Sequence, residues 1–167
     1  SFNVVTTKDF TDTSIPDGYA PFNIYEHDGK LIVTYAKLKS PDNQDDQSGA
    51  GFGYVNVFNT DGSLDKRFAS QGTLNSPWAV AEAPTSFGLG SNKILIGNFG
   101  DGRINIFDSN GKYEGQLMDN GSAITIEGLW ALTFPENNLT AGGENRLFFT
   151  AGPNQESNGL FGYLKRR

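Results

Sequence analysis

The chain has 167 residues, with 13 basic and 19 acidic side chains and therefore a net charge of −6. This charge repels phosphate backbones and anionic lipid surfaces, and no apolar run approaches the roughly 20 residues of a membrane span, so neither nucleic acid nor a membrane is an expected partner. The absence of cysteine excludes disulfides, zinc–thiolate sites and thiol nucleophiles, and a single histidine, His27, excludes a multi-histidine metal site.

The abundance of glycine and phenylalanine favours many short strands joined by tight turns. There are 21 glycines and 13 phenylalanines but only one methionine, which indicates an all-β fold. The first predicted element is a strand-like stretch at residues 2–7, inside an N-terminal segment of residues 1–13 that precedes a repeat. Because the chain starts with Ser1, we expect a processing or cloning boundary at that point.

The first repeat contains four predicted strands. An aromatic residue, Phe22, marks a strand of alternating character, and the next strand is a continuous apolar run of the kind that is buried on both faces. Asp61 and Gly62 then form a turn that supplies the positive φ angles of a tight hairpin. The predicted strands of this repeat are 20–24, 30–33, 53–58 and 64–70.

Two further repeats show the same order of strands. Their aromatic residues are Trp78 and Trp130, which follow Phe22 at intervals of 56 and 52 residues. The third repeat has no predicted fourth strand before the chain ends. The remaining predicted strands are 76–80, 93–96, 102–107 and 112–118 in the second repeat, and 128–132, 146–149 and 159–164 in the third.

Four antiparallel strands in about 50 residues, repeated, are typical of a β-propeller blade. We therefore predict an all-β half-propeller of three four-stranded antiparallel blades at residues 19–74, 75–125 and 126–167, with an ordinary β-sandwich as the alternative. Closed propellers have about four to eight blades, so a six-bladed ring needs a second half-propeller, either a second copy in a homodimer or an N-terminal half as a separate chain. That partner supplies the outer strand of the last blade, and residues 1–13 are the outer strand of a preceding or partner blade.

Several motifs connect this prediction to a known family. They are residues 10–24, 31–37, 74–78, 97–105, 126–130, 149–153 and 159–162. Together they resemble an uncharacterised family of predicted six-bladed propeller proteins, distantly related to NHL-type propellers, and they correspond to its C-terminal half. Ala79 and Asn158 stand where that family commonly has glycine and histidine, so a site built on that histidine is not implied. The family carries no established activity to transfer.

Propeller geometry places the loops before each first strand, and the loops joining second to third strands, on one face. These loops are rich in polar and glycine residues, which is typical of a binding site on a rigid scaffold. The alternative for Asp101 is a bond within its own turn, and we expect Trp78 and Trp130 to pack inside the blades. The candidate ligand-binding residues are Asn23, Tyr35, Asn98, Asp101, Glu127 and Asn154, the last with Gln155 and Glu156 beside it.

One of these loops, residues 41–47, carries a dense set of oxygen donors. Asp42, Asp45 and Asp46 are candidate ligands of Ca²⁺, which takes six to eight oxygen ligands at flexible geometry. The spacing is not that of an EF-hand, and a solvated acidic loop is the alternative.

The function favoured by these patterns is a binding or interaction propeller with a small-molecule or carbohydrate site near the central axis. The alternative is a metal-dependent, lactonase-like hydrolase that uses carboxylates and an oxygen-ligated divalent metal. No catalytic residue is assigned. We expect a secreted or extracytoplasmic location, in which the glycosylation sequons at Asn120 and Asn138 would matter.

Overall fold

A computed structural model describes residues 2–3, 10–135 and 145–166 of the chain. In these residues the regular structure is almost all β-strand, with one 3-10 turn at Thr85–Phe87 and no α-helix. A search of the same residues finds no helix that is long and apolar enough to cross a membrane. The all-β prediction is confirmed.

The first sheet is antiparallel and its four strands are neighbours in chain order. Asp28 and Gly29 join the first two strands in a tight hairpin, and both have positive φ angles, 49° and 71°. The third strand is buried along almost its whole length, which is consistent with its central position. The strands are β1 (Tyr19–His27), β2 (Lys30–Lys37), β3 (Gly53–Asn59) and β4 (Leu64–Ser70).

The second and third sheets repeat this arrangement. The second has four strands, β5 (Pro77–Ala83), β6 (Lys93–Asn98), β7 (Ile104–Asp108) and β8 (Tyr113–Gln116). A short two-stranded ribbon follows, made of β9 (Met118–Asp119) and β10 (Ser122–Ala123). The third sheet has three strands in the described residues, β11 (Leu129–Thr133), β12 (Arg146–Ala151) and β13 (Leu160–Lys165).

The ribbon is the main departure from the predicted strands, because residues 112–118 were expected to form one continuous outer strand. Instead, β8 ends at Gln116 and the next side chain, Leu117, is buried between the second and third sheets. Asn120 and Gly121 then turn the chain with positive φ angles of 48° and 84°. The burial of one apolar side chain therefore sets the end of the outer strand.

Two apolar cores hold the three sheets together, one at each sheet-to-sheet contact. Between the first and second sheets, Val55 and Phe68 pack against Ile96 and Phe107. The second core lies between the second and third sheets and includes Leu95, Ile104, Leu129 and Leu147. Apolar side chains of adjacent sheets face each other in each core, as in stacked antiparallel sheets.

Some predictions fall outside the described residues. The predicted outer strand at residues 1–13 is described only at residues 2–3 and 10–13, and the sequon at Asn138 lies outside the described part. The other sequon, Asn120, is exposed in the turn of the ribbon.

Candidate functional site

Each of the three sheets has a β-bulge at the same place in its first strand. The pairing register shifts between Pro21 and Asn23, between Pro77 and Ala79, and between Leu129 and Ala131. The extra residue in each case is the repeated aromatic: Phe22, Trp78 or Trp130. A bulge changes the direction of the side chain that it carries.

These three aromatic side chains are only half-buried, so the expectation that the tryptophans pack inside the sheets holds in part. Trp78 stacks on Phe99, with ring centroids 4.7 Å apart and an interplanar angle of 19°, and it also contacts Phe22 at 5.4 Å. Phe22 and Trp78 belong to neighbouring sheets. The bulge residues of the first two sheets therefore form, with Phe99, a row of three aromatic rings next to the loops.

Loops from all three sheets line one open cleft of about 530 Å³. The first sheet contributes residues of the β2–β3 loop, the second contributes Phe99 of the β6–β7 loop, and the third contributes residues of the β12–β13 loop. The lining residues are Lys39, Asp45, Asp46, Gln47, Ser48, Phe99, Gln155 and Glu156. The loops that join second to third strands thus converge on one face.

Asp46 is the most unusual group in this cleft. Asp46 is only 6% exposed, and both of its carboxylate oxygens are buried without a hydrogen-bond partner in the part of the chain that the structure describes. Burial raises the pKa of Asp46; the nearby Ser76 hydroxyl opposes the rise in part, and the charge of Asp45 adds to it. The Ser76 hydroxyl also donates to the carbonyl oxygen of Gln47 at 3.4 Å.

The other two candidate calcium ligands have different surroundings. Asp45 is exposed, and its Oδ1 accepts a hydrogen bond from the Asp46 backbone N–H at 2.8 Å. Asp42 is also exposed and does not line the cleft. In the described part of the chain, no group of three or more His, Cys, Asp or Glu side chains could hold a metal ion. The hydrolase alternative, which needs converging carboxylates, stays a prediction.

The β12–β13 loop is held in place by two contacts to the start of the third sheet. Trp130 Nε1 donates to Glu156 Oε1 at 2.6 Å, and the Asn154 backbone N–H donates to Glu127 Oε1 at 2.9 Å. Three consecutive non-glycine residues, Asn154, Gln155 and Glu156, have φ angles of 57°, 53° and 61°. Such strained backbone is concentrated at ligand clamps and active sites.

The remaining candidates of the second sheet, Asn98 and Asp101, form hydrogen bonds that stabilise the β6–β7 loop. Asn98 is fully buried, and its Nδ2 donates to the carbonyl oxygen of Thr73 at 2.8 Å and to Asp101 Oδ1 at 3.0 Å. Asp101 also accepts from the Arg103 backbone N–H at 3.1 Å. These bonds correspond to the turn-forming role that was the alternative for Asp101.

Two candidates of the first sheet lie away from the cleft. Asn23 Nδ2 donates to the carbonyl oxygen of Trp78 at 2.7 Å, so it ties the first strands of neighbouring sheets together. Tyr35 is 8% exposed, packs with Tyr54 and Phe58, and has a pKa raised mainly by burial. The structure brings Asn23 and Tyr35 to a separate apolar groove that Phe22 and Ile24 also line.

Lys39, Ser48 and Phe99 line the cleft although none of them was a candidate residue. Phe99 directly follows the candidate Asn98, and its aromatic ring in an otherwise polar loop was the available signal. Lys39 had none, because lysine is common in exposed loops. The stacking of Phe99 on Trp78 shows how its ring is held at the cleft.

The opposite ends of the strands carry a different kind of chemistry. His27 lies at the end of β1, with Nδ1 3.2 Å from Glu82 Oε2 on the second sheet. Lys30 lies 2.7 Å from Asp65, and Lys93 lies 2.7 Å from Glu114. Two ion pairs, Lys30–Asp65 and Lys93–Glu114, therefore lie at this end.

No protein-family model matches the chain. It is 39% identical over 155 residues to "Uncharacterized protein R648" of Acanthamoeba polyphaga mimivirus, a match that covers 92% of this chain and 38% of that protein. It is 37% identical over 172 residues to "Uncharacterized protein L690" of the same virus, covering 98% of this chain and 44% of that protein. The chain spans less than half the length of the curated relatives it matches.

Two solved structures of propeller-type proteins are similar to this chain. The nidogen/laminin complex contains a chain that matches with a TM-score of 0.50 and 11% identity, covering 87% of this chain and 49% of that one. A luciferin-regenerating enzyme matches with a TM-score of 0.53 and 11% identity, covering 89% of this chain and 47% of that one. The fold is β-propeller-like. At these identities the similarity extends to the fold alone.

Proposed function

We propose that this chain is part of a binding propeller whose loop-face cleft takes a small polar ligand of the carbohydrate class. The observation that carries the proposal is the convergence of loops from all three sheets on one cleft of about 530 Å³. A cleft of that size, with a few placed polar groups, falls in the range of small-molecule sites.

The chemistry of the cleft supports a polyhydroxylated ligand. Gln47, Gln155 and Glu156 provide hydrogen-bond donors and acceptors, and Phe99 provides an apolar ring face. The Phe99 ring is fixed by its stacking on Trp78, and Glu156 is fixed by Trp130. Preorganised groups lose little conformational entropy when a ligand binds.

The test is a calorimetric titration with a panel of neutral mono- and disaccharides. We expect at least one to bind, and the variant Gln155→Ala to weaken that binding about tenfold, since one lost hydrogen bond is worth about 1.4 kcal/mol. The matched control is His27→Ala at the opposite ends of the strands, which should bind normally. Saccharide binding that is unchanged in Gln155→Ala, or absent in the wild-type protein, would contradict the proposal.

We further propose that the three sheets are three blades of a six-bladed ring, completed by a second half-propeller, either a second copy or another chain. Both end sheets leave apolar side chains exposed: Ile24 is 59% exposed on the first sheet, and Phe161 and Tyr163 are 72% and 48% exposed on the third. The matched propeller structures are about twice as long as the part that this chain covers. Further sheets against these faces would bury them, as the inner faces are buried.

Native mass spectrometry of the purified protein tests this assembly. We expect a species heavier than the 18.1 kDa of one chain, in the form of a dimer or of a complex with another polypeptide. A stable monomer at micromolar concentration would overturn the half-ring proposal. Because any axial site is then built from both halves, the saccharide titration is best made on the assembled species.

A further inference from the structure

Asp46 lines the cleft, and its carboxylate has no hydrogen-bond or ion-pair partner among the described residues. Its two oxygens are buried and accept no hydrogen bond, and none of the ion pairs in the described residues involves Asp46. A buried ionised carboxylate without a partner costs several kcal/mol, so proteins normally pair it or place it on a metal ion. A positively charged species bound in the cleft would supply the missing partner.

Three residues next to Asp46 add further oxygen atoms to the lining of the cleft. Asp45, Gln47 and Ser48 line the cleft together with Asp46, and they offer a second carboxylate, an amide and a hydroxyl at consecutive positions. Asp45 Oδ1 is used by the Asp46 backbone N–H, which leaves its other oxygen available. The one basic side chain among the lining residues, Lys39, forms no ion pair with another residue of the described ranges.

The backbone holds this set of donors in a closed loop. Lys39 N–H donates to the Asp45 carbonyl oxygen at 2.8 Å, and Gln47 N–H donates to the Lys37 carbonyl oxygen at 2.7 Å. Leu38 and Asp46 are also paired across the base of the loop. Since these bonds fix the backbone on both sides of Asp46, its carboxylate is held at the cleft wall before any ion binds.

We propose that Asp46, together with Asp45 and the side-chain oxygens of Gln47 and Ser48, binds a divalent cation with a preference for Ca²⁺. All four donors are hard oxygens, which suits Ca²⁺, and a mixed set on a loop suits its flexible geometry better than the strict octahedron of Mg²⁺. Two carboxylates give a weak site, with a dissociation constant of about 10⁻⁴ to 10⁻³ M, as in extracellular calcium modules. Asp42 is not part of it.

The test measures calcium binding to the intact protein without any saccharide, so its result is independent of the proposed ligand. We expect about 5 mM CaCl₂ to raise the melting temperature by about 3 °C, and MgCl₂ at the same concentration to raise it less. Calorimetric titration with CaCl₂ should give one site per chain.

The isosteric variant Asp46→Asn should lower the calcium affinity at least tenfold, because it removes the central charge. Asp45→Asn provides a second variant that should show a smaller loss, and it keeps the test valid if Asp46→Asn folds poorly. Asp42→Asn, an exposed aspartate of the same loop, is the matched control and should bind Ca²⁺ as the wild-type protein does. Wild-type protein without a calcium response up to about 10 mM, well above the expected dissociation constant, would overturn the proposal, as would an unchanged affinity in both Asp46→Asn and Asp45→Asn.

Discussion

Asp12 and Asp46 are both largely buried aspartates of the first sheet region, but their surroundings are opposite. Asp12 accepts hydrogen bonds from the Ser14 backbone N–H and hydroxyl, at 2.8 and 2.6 Å, from Asn56 Nδ2 at 3.1 Å, and from Arg67. Asp46 accepts none. A carboxylate with all its hydrogen bonds made links one segment to another, whereas a buried carboxylate without them lacks a partner that the proposed cation would provide.

The pKa values of the two groups reflect this contrast. Burial alone would raise the pKa of Asp12, but the hydrogen bonds from Ser14, Arg67 and Asn56 outweigh it and hold the pKa well below its usual range. Burial raises the pKa of Asp46. Ionisation therefore favours the folded state at Asp12 and disfavours it at Asp46.

Of the substitutions that test this comparison, we expect the one at Asp12 to have the largest effect on stability. The substitution Asp12→Ala should lower the free energy of unfolding by about 3 kcal/mol, because it leaves Arg67 and Asn56 without their shared partner. Urea denaturation followed by tryptophan fluorescence measures the change. Asp17→Ala, at an exposed aspartate nearby, is the control and should stay within about 0.5 kcal/mol of the wild type. Equal effects of the two substitutions would show that the Asp12 contacts do not stabilise the fold.

At Asp46 we expect the opposite effect on stability, because removing the charge should raise the free energy of unfolding. In calcium-free buffer at neutral pH, Asp46→Asn should raise the free energy of unfolding by about 1 kcal/mol, since it replaces an unpaired charge by a neutral group of the same shape. The same denaturation experiment in the presence of a chelator measures it. A clear loss of stability would mean that the carboxylate has a partner in the folded protein.

Acid should remove the contribution of Asp12. A group whose folded pKa is depressed stabilises the fold above its unfolded pKa of about 3.9, and that contribution is lost as the pH falls through and below this value. The stability difference between wild type and Asp12→Ala should therefore be constant from pH 7 to about pH 5 and shrink towards pH 2. A difference that persisted undiminished at pH 2 would exclude an ionised Asp12 as its cause.

The smallest effect is expected where charges are paired but exposed. The Lys30–Asp65 pair has a distance of 2.7 Å, yet its side chains are 40% and 31% exposed. Lys30→Ala should change the free energy of unfolding by less than about 1 kcal/mol, and 0.5 M NaCl should reduce even that. A loss comparable to that of Asp12→Ala would show that distance matters more than burial in this protein.

The strands were predictable because their signals are local. Alternation, continuous apolar runs and Asp-Gly turns occur within a few residues of each other, and β2 and β3 begin at the predicted residues. The end of β8 was not predictable in this way. It depends on the burial of Leu117 against the third sheet, which is a contact between distant parts of the chain.

The loops of the candidate site could be predicted from the sequence, but the positions of individual side chains in it could not. Asp45, Asp46 and the β12–β13 loop were identified from their polar residues, whereas Asn23 and Tyr35 were assigned to the same face and the structure places them in a separate groove. Phe99 was missed because its role comes from stacking on Trp78 in a neighbouring strand.

The sequence by itself determined the repeat, its strand order and the polar character of the loops, since these depend on periodicity and turn residues. Only the tertiary structure decided that Asp46 is buried while Asp42 and Asp45 are exposed, although all three lie within five residues of one loop. The burial of Asp46 depends on how the loop packs against the neighbouring sheet, and no local sequence pattern predicts that packing. The same reason separates Asp12 from Asp46: the partners that satisfy Asp12 include Asn56 and Arg67, which only folding brings near.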